Sequence, residues 1–331
     1  MLLRGSIESA ATFLGEKGPA VKAVRLARVA ALVVFVGATL LGVAACTLPT
    51  RDSRDRYEPV TVSHMLGATT VDKVPKHVVT LGNQWTDNAL ALGVTPVGFI
   101  APAAGGATPW TPAALESAKT LDTSGSLTEQ IAALHPDLIL VDGFIADRKT
   151  YDELSRIAPT VPALGPEAPW QDQVRMLGRI LHKQSAADTL ITDVDKTIAT
   201  ITQAAPALRG KTFVTTWLAS DTQLLVLTAP DNPTLFTRLG LRTPDHLTEL
   251  PTSLPPDQVS ELDADVLLAG YSPGLDEMYR RLPGYADLPA VRKNSVTFLT
   301  AQELSGIAQP TALSVPYLLE RLKPALTNAA K

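Results

Sequence analysis

From Val60 onward, short β-rich runs alternate with helical patterns, and that alternation constrains the fold more than any other feature of the chain. Residues 78–81 (VVTL) read as a strand of β-branched and apolar residues. Residues 86–92 follow as a helix that Gly93 stops, and 96–101 form the next strand. Residues 126–134 are helical, with Leu127, Ile131 and Leu134 on one face. The run 137–142 (DLILVD) is a buried strand, 148–157 a helix and 161–164 again extended. Such βαβ alternation predicts a mostly parallel sheet with helices on both faces. The longest helical stretch comes next, at 170–181 and 186–202, with Leu190, Val194, Ile198 and Ile201 at helical spacing; Pro206 and Gly210 end it. A second series begins at Lys211, with strands at 212–217, 224–227, 265–269 and 296–299 and helices at 234–239, 256–262 and 312–322. Asn232-Pro233 supplies a cap and a first-turn proline for the first of these helices. The predicted fold class is therefore α/β, with two Rossmann-like lobes, mostly parallel sheets and a long joining helix. Expected boundaries are 59–183 for the first lobe, 184–206 for the helix and 207–331 for the second lobe. Two lobes on a helical joint leave a cleft, a preferred place for a small ligand.

Ahead of the lobes stands an export signal, expected over residues 1–45. Lys22, Arg25 and Arg28 precede an apolar run at 29–41, and small residues then lead to the only cysteine, in Val43-Ala44-Ala45-Cys46. Basic region, short apolar region and processing site stand in the order of a secretory signal. The tetrapeptide looks like a bacterial lipobox, in which Cys46 takes the lipid and becomes the first mature residue. An uncleaved membrane anchor is the competing reading, but residues 29–45 span only about 17 positions, the low edge for crossing a bilayer. The compact signal starts near Val21, which leaves residues 1–20 ahead of it as an expected start-site artefact. Removing residues 1–45 takes away five basic and two acidic groups and leaves 24 basic and 31 acidic, a net of −7. Residues 46–58, polar and mixed in charge, cannot bury a core and read as a tether to the lipid anchor. The expected location is the outer face of the cytoplasmic membrane.

A single cysteine excludes a disulfide scaffold, a Cys-rich zinc module and an iron–sulfur site. The acidic balance excludes the basic excess typical of nucleic-acid partners. Ligands of such sheets meet the loops beyond the strand C-termini. In the first lobe those loops offer Asn83, Gln84 and Trp85, then Gly105, Gly106 and Trp110, then Gly143, Phe144 and Arg148. In the second they offer Trp217, Tyr271 and residues 302–305. Indole and phenol faces give large rigid contact area suited to a bulky, partly planar chelate, and arginine adds donors for anionic groups. The same tryptophans would serve equally to cover a core edge. His64, His77, His135, His182 and His246 are scattered and show no paired metal-ligand spacing.

Several segments resemble a known family: the periplasmic-type binding proteins that deliver ferric siderophores, haem or cobalamin to ABC importers. Residues 75–81 (PKHVVTL) with 87–98 (DNALALGVTPVG) look like the family's opening strand–helix–strand. Residues 129–140 (EQIAALHPDLIL), 262–268 (LDADVLL) and 288–296 (LPAVRKNSV) look like its later motifs, in the same order. The resemblance covers about residues 72–325. It implies a class III binding-protein fold, small closing motions, no chemistry, no cofactor, a monomer and, as ligand, an iron–siderophore complex. Haem and a corrinoid stay open as ligands, as does an envelope scaffold that has lost transport; for haem, Tyr271 is the best-placed axial ligand. Family members present one acidic residue per lobe to arginines of the permease, and the matching positions are Glu129 and Asp257, the latter more often Glu in the family. Both would also be explained as first-turn acids favoured by a helix dipole.

An enzyme reading has one foothold. Gly270-Tyr271-Ser272-Pro273-Gly274 fits G-x-S-x-G after a strand. Pro273 has no N–H to give an oxyanion, and no histidine follows His246 to complete a triad, so hydrolase chemistry is not expected.

Overall fold

A computed structural model describes residues 57–102, 107–143, 145–165, 168–227, 235–248 and 251–331. The chain enters through an antiparallel hairpin of β1 (Val60–His64) and β2 (Gly67–Val71). The first lobe follows with β3 (Val78–Leu81), α1 (Asn83–Ala91), β4 (Gly98–Ile100), β5 (Lys119–Leu121), α2 (Leu127–Ala132), β6 (Leu138–Val141), α3 (Arg148–Ser155) and β7 (Thr160–Pro162). Its five strands run parallel in the order β5-β4-β3-β6-β7. Every residue of β3 and β6 is buried, because helices cover both faces of a parallel sheet and leave no wet side for polar alternation.

Helices α4 (Trp170–Ile180) and α5 (Gln184–Ala204) come next. They meet closely at Gly178, where a side-chain Cβ would lie 2.7 Å from that of Ala187. At about 1.5 Å per residue α5 is roughly 30 Å long. Its Ala187 and Ile191 pack into the core of the first lobe, and its Val194 and Ile198 into a core of the second. One stiff element thus belongs to both cores.

The second lobe contains β8 (Phe213–Ser220), β9 (Gln223–Val226), α6 (Leu235–Arg238), β10 (Ser253–Leu254), β11 (Val266–Tyr271), α7 (Asp276–Arg280), α8 (Pro289–Arg292), β12 (Val296–Leu299), α9 (Ala301–Ala308) and α10 (Ser314–Ala329). Its sheet order is β10-β9-β8-β11-β12. Only β8, β11 and β12 are parallel; β9 runs antiparallel to β8, and β10 to β9. The expectation of parallel strands fails there because Asp221 and Thr222 alone separate β8 from β9. Two residues close a hairpin, whereas a parallel return needs a crossover of a dozen or more. Strand β8 also runs on past the predicted end at residue 217, and the helix expected at 256–262 is a 3₁₀ turn, Pro256–Glu261. Residues 302–305, which the sequence places in a loop, belong to helix α9. Thr300 and Glu303 cap it reciprocally: the Glu303 N–H donates to Thr300 Oγ1 (3.2 Å) and the Thr300 N–H to Glu303 Oε2 (2.8 Å).

Candidate ligand cleft

In the first lobe the strand order turns at its centre. From β3 the chain steps outward through β4 to β5, then returns to β6 on the other side of β3. Beyond the C-terminal ends of β3 and β6, where successive connections diverge, a doubly wound sheet leaves its crevice. Gly82 follows β3 there, and Asp142 follows β6. Gly82 has φ 145°, a conformation that suits glycine, and a Cβ on it would overlap the Asp142 carboxyl. The absent side chain is what lets the carboxyl rest over the end of β3.

Two carboxyls face this crevice. Asp87, one turn into α1, is 5% exposed, and its Oδ2 accepts from Trp110 Nε1–H (2.7 Å) and Thr311 Oγ1–H (2.8 Å). Burial pushes its pKa up to about 6 against the pull of those two hydrogen bonds. Asp142 is pushed up further, to about 7, by burial alone, and its Oδ1 has no hydrogen-bond partner. Both groups line a cavity of about 400 Å³ with Gly82, Asn83, residues 100–102, Thr108, Trp110, Thr123 and Ile145 from the first lobe. Gln302, Ser305 and Gly306 of α9, with Gln309 and Thr311 just after it, close the other side. A second cavity of about 250 Å³ adjoins it, sharing Asn83, Asp87, residues 100–102 and Thr108.

The segment between α9 and α10 stitches the lobes. Besides the Thr311–Asp87 bond, Gln84 Nε2 donates to the Pro310 carbonyl at 3.5 Å, and Ala312 packs into the first-lobe core. Trp110 crosses the same seam. Its ring centroid lies 5.6 Å from that of Tyr317 on α10, and its edge comes within 2.6 Å of where a Cβ on Gly306 would stand. A polar latch and an aromatic wedge therefore share one carboxylate, Asp87.

The predicted contact residues fall in several places. Trp110 lines the cavity, and Gln84 stands at the seam beside it. Trp85 does not face a ligand: it is wholly buried in the first-lobe core, and its Nε1–H donates to the Val141 carbonyl at 3.1 Å. The helical turn after Gly82 points it inward under the sheet end. Trp217 sits within β8 rather than after it, half-buried with its ring over Gly270, and Tyr271 ends β11 against Phe298, centroids 5.8 Å apart. Neither lines the cavity. Arg148 opens α3, donates to the Leu66 carbonyl (2.8 Å) and pairs with Asp152 (3.6 Å), on the side facing the β1–β2 hairpin. Phe144, Gly105, Gly106 and Cys46 lie outside the described residues. Glu129 and Asp257 are both exposed in the first turns of α2 and of the 3₁₀ turn Pro256–Glu261, one on each lobe. Ser272 Oγ donates to the Ala219 carbonyl at 3.0 Å. Among the described residues no three His, Cys, Asp or Glu side chains gather as a metal cage. No helix among them is long and apolar enough to cross a membrane.

Of the residues expected at the second-lobe strand ends, Gln302 and Ser305 do line the cavity, from a helix rather than a loop; sequence reasoning missed Asp87 and Asp142. Asp142 ends DLILVD at a strand C-terminus, the position where ligand groups are sought. For α9 the signal was T-x-x-E, Thr300 with Glu303. Asp87 carried none, because a polar residue early in a helix is ordinarily solvated.

Residues 78–303 match the family described as Periplasmic binding protein. Among proteins of known sequence, the chain is 28% identical to "Probable siderophore-binding lipoprotein YfiY" of Bacillus subtilis over 221 residues, 62% of this chain and 67% of that one. Among solved structures, a periplasmic solute binding protein from Mycobacterium smegmatis is 31% identical with a TM-score of 0.70, covering 82% of this chain and 99% of that one. Streptococcus pneumoniae PiaA in complex with ferrichrome is 26% identical with a TM-score of 0.61, covering 81% and 99%.

Proposed function

The chain belongs to the periplasmic binding protein family, and from that premise we propose that it captures a ferric siderophore in the cleft between its lobes and hands it to an ABC permease. One observation carries the reading: a cavity of about 400 Å³, lined from both lobes, at the switch point of the first sheet. Together with its neighbour it has the size and the few convergent polar groups of a small-molecule site. Ferrichrome is the ligand in the complex of PiaA, and a siderophore is in the name of the B. subtilis relative. The iron arrives already chelated, so the cleft supplies shape, hydrogen bonds and an aromatic face rather than metal ligands. Trp110 is the aromatic contact, with Asn83, Thr123, Gln302 and Gln309 as polar ones. A haem would need an axial side chain, and among the described residues lining the cavity there is no His, Tyr, Cys or Met, which favours the chelate. The protein performs no covalent chemistry in this reading.

Cys46 carries the lipid anchor, and the residues up to 56 tether the lobes to the outer face of the membrane. Tyr57, expected within the tether, instead docks on the first lobe, its hydroxyl donating to the Ile180 carbonyl at 3.1 Å. Glu129 and Asp257 are the docking points for the permease, one on each lobe, where fixed charges set orientation more than affinity. Quenching of intrinsic tryptophan fluorescence by a panel of ferric siderophores, haem and cobalamin tests the ligand. Saturable quenching by an iron chelate is expected; no binding by any member would leave the envelope scaffold instead. Reversing charge at both Glu129 and Asp257 is expected to abolish iron uptake with chelate affinity unchanged, and uptake that survives removes the docking assignment.

A further inference from the structure

The charges around the cleft point to the class of chelate. Among the described residues, the ionisable side chains lining either cavity are Asp87 and Asp142, and no Lys, Arg or His lines them. Between residues 57 and 331, the positions outside the described set contain no Lys, Arg or His either, so every basic side chain of the lobes has a described place. On flanking elements, Arg321 is engaged on the buried carboxylate of Glu303 (3.2 Å), Arg280 over the Phe298 ring (3.8 Å) and Arg148 on Leu66 and Asp152, while Lys119 of β5 and Lys149 of α3 are exposed and line neither cavity. Of the two carboxyls, Asp87 is taken up by Trp110 and Thr311. Asp142, which lines the larger cavity beside Gly82, keeps a buried Oδ1 unpartnered.

A ferric ion held by three hydroxamates carries no net charge, and a pendant amine makes the complex cationic. Three catecholates, or two citrates, overshoot the ferric charge and leave a polyanion. In a partly desolvated cleft a polyanion beside carboxylates, with no cation to meet it, is repelled, whereas a ligand ammonium completes the free oxygen. We propose that the cleft selects ferric chelates of zero or positive net charge, of the hydroxamate class, and seats a ligand ammonium on Asp142. This rests on the reading of the cleft as the chelate site.

The test is titration of the purified chain at pH 8 with four iron complexes. They are a linear ferric tris-hydroxamate with a free terminal ammonium, the same molecule N-acetylated, a ferric tris-catecholate and ferric dicitrate. The ammonium form is expected to bind about tenfold tighter than the acetylated form, and the two anionic complexes about a hundredfold more weakly than either. Asp142→Asn is expected to bring the ratio of ammonium-form to acetylated-form affinity below about threefold; Asp142→Ser repeats the measurement should Asn disturb the fold. Equal or tighter binding of the tris-catecholate or dicitrate by the wild type overturns the charge selection and leaves the function standing. An ammonium preference that persists in both variants removes Asp142 as its seat. Binding of none of the four overturns the function and the selection together.

Discussion

The two lobes start their central strands alike and finish them differently. At the entry end each uses an aspartate to pin a neighbouring strand. Asp137, just before β6, accepts from the backbone N–H groups of Lys76 (2.9 and 3.0 Å) and His77 (2.8 Å) ahead of β3. Asp265, just before β11, accepts from Thr212 N–H (3.0 Å), Lys211 Nζ (3.2 Å) and Lys293 Nζ (3.0 Å). At the exit end the first lobe leaves a glycine and a free carboxyl, Gly82 and Asp142. The second fills the equivalent space: Trp217 and Leu304 press onto Gly270, and Tyr271 leans on Phe298. Parallel strands require fixed starts in both lobes, but only one lobe needs an open end. The cleft is therefore built asymmetrically, with a polar floor from the first lobe and a helix from the second laid across it.

The contrast between the exit ends gives the largest expected effect. Gly82→Val introduces a β-branched side chain at φ 145° where even a Cβ overlaps Asp142, and it should destabilise the protein by about 3 kcal/mol or more. Gly270→Ala meets the tip of Leu304 and the Trp217 ring (2.5 Å) without a positive φ to oppose it, and should cost about 1–3 kcal/mol. Denaturant melts compare them, and equal losses would mean that the two ends are not built differently.

The contrast between free and paired carboxyls predicts opposite signs with pH. Asp142 is raised in the folded protein to about 7, so the native state holds a proton that the unfolded chain gives up near its ordinary value. Stability attributable to this group falls as pH rises from about 4 to 7. Asp142→Asn should therefore stabilise the ligand-free protein by about 1–2 kcal/mol at pH 8 and by almost nothing near pH 4. Asp265 behaves inversely. Burial pushes its pKa up, but the Thr212 N–H, Lys293 and Lys211 outweigh burial and hold the carboxyl below its usual range. Its contribution is present above the unfolded value and is lost as pH falls through the folded one. Asp265→Ala should cost about 1 kcal/mol at pH 7, with the loss shrinking in acid. Thermal melts across pH check both; parallel pH trends for the two variants would break the distinction.

Most of the first lobe could be read along the chain because its elements are signalled locally. β3 and β6 are short buried runs of β-branched and apolar residues, and Gly93, at φ 70°, stops α1 where the sequence places a glycine stop. The second lobe was harder, since the direction of β9 depends on a two-residue turn, and α9 announces itself only through a capping pair. The site was harder still. An indole is equally at home in a core and on a ligand, and nothing local separates Trp85, wholly buried, from Trp110, which lines the cleft.

Residue order alone determined the alternating elements, the two-lobed class and the joining helix, because periodicity, turn residues and strand composition act between near neighbours in the chain; the family came from the resemblance of several motifs in order. Tertiary structure decided which side chains share the cleft. Asp87 meets Thr311 across 224 positions, and Asp142 rests over Gly82 only because β6 returns beside β3. The burial that raises both carboxyls comes from pairings distant in sequence, and no local pattern encodes it.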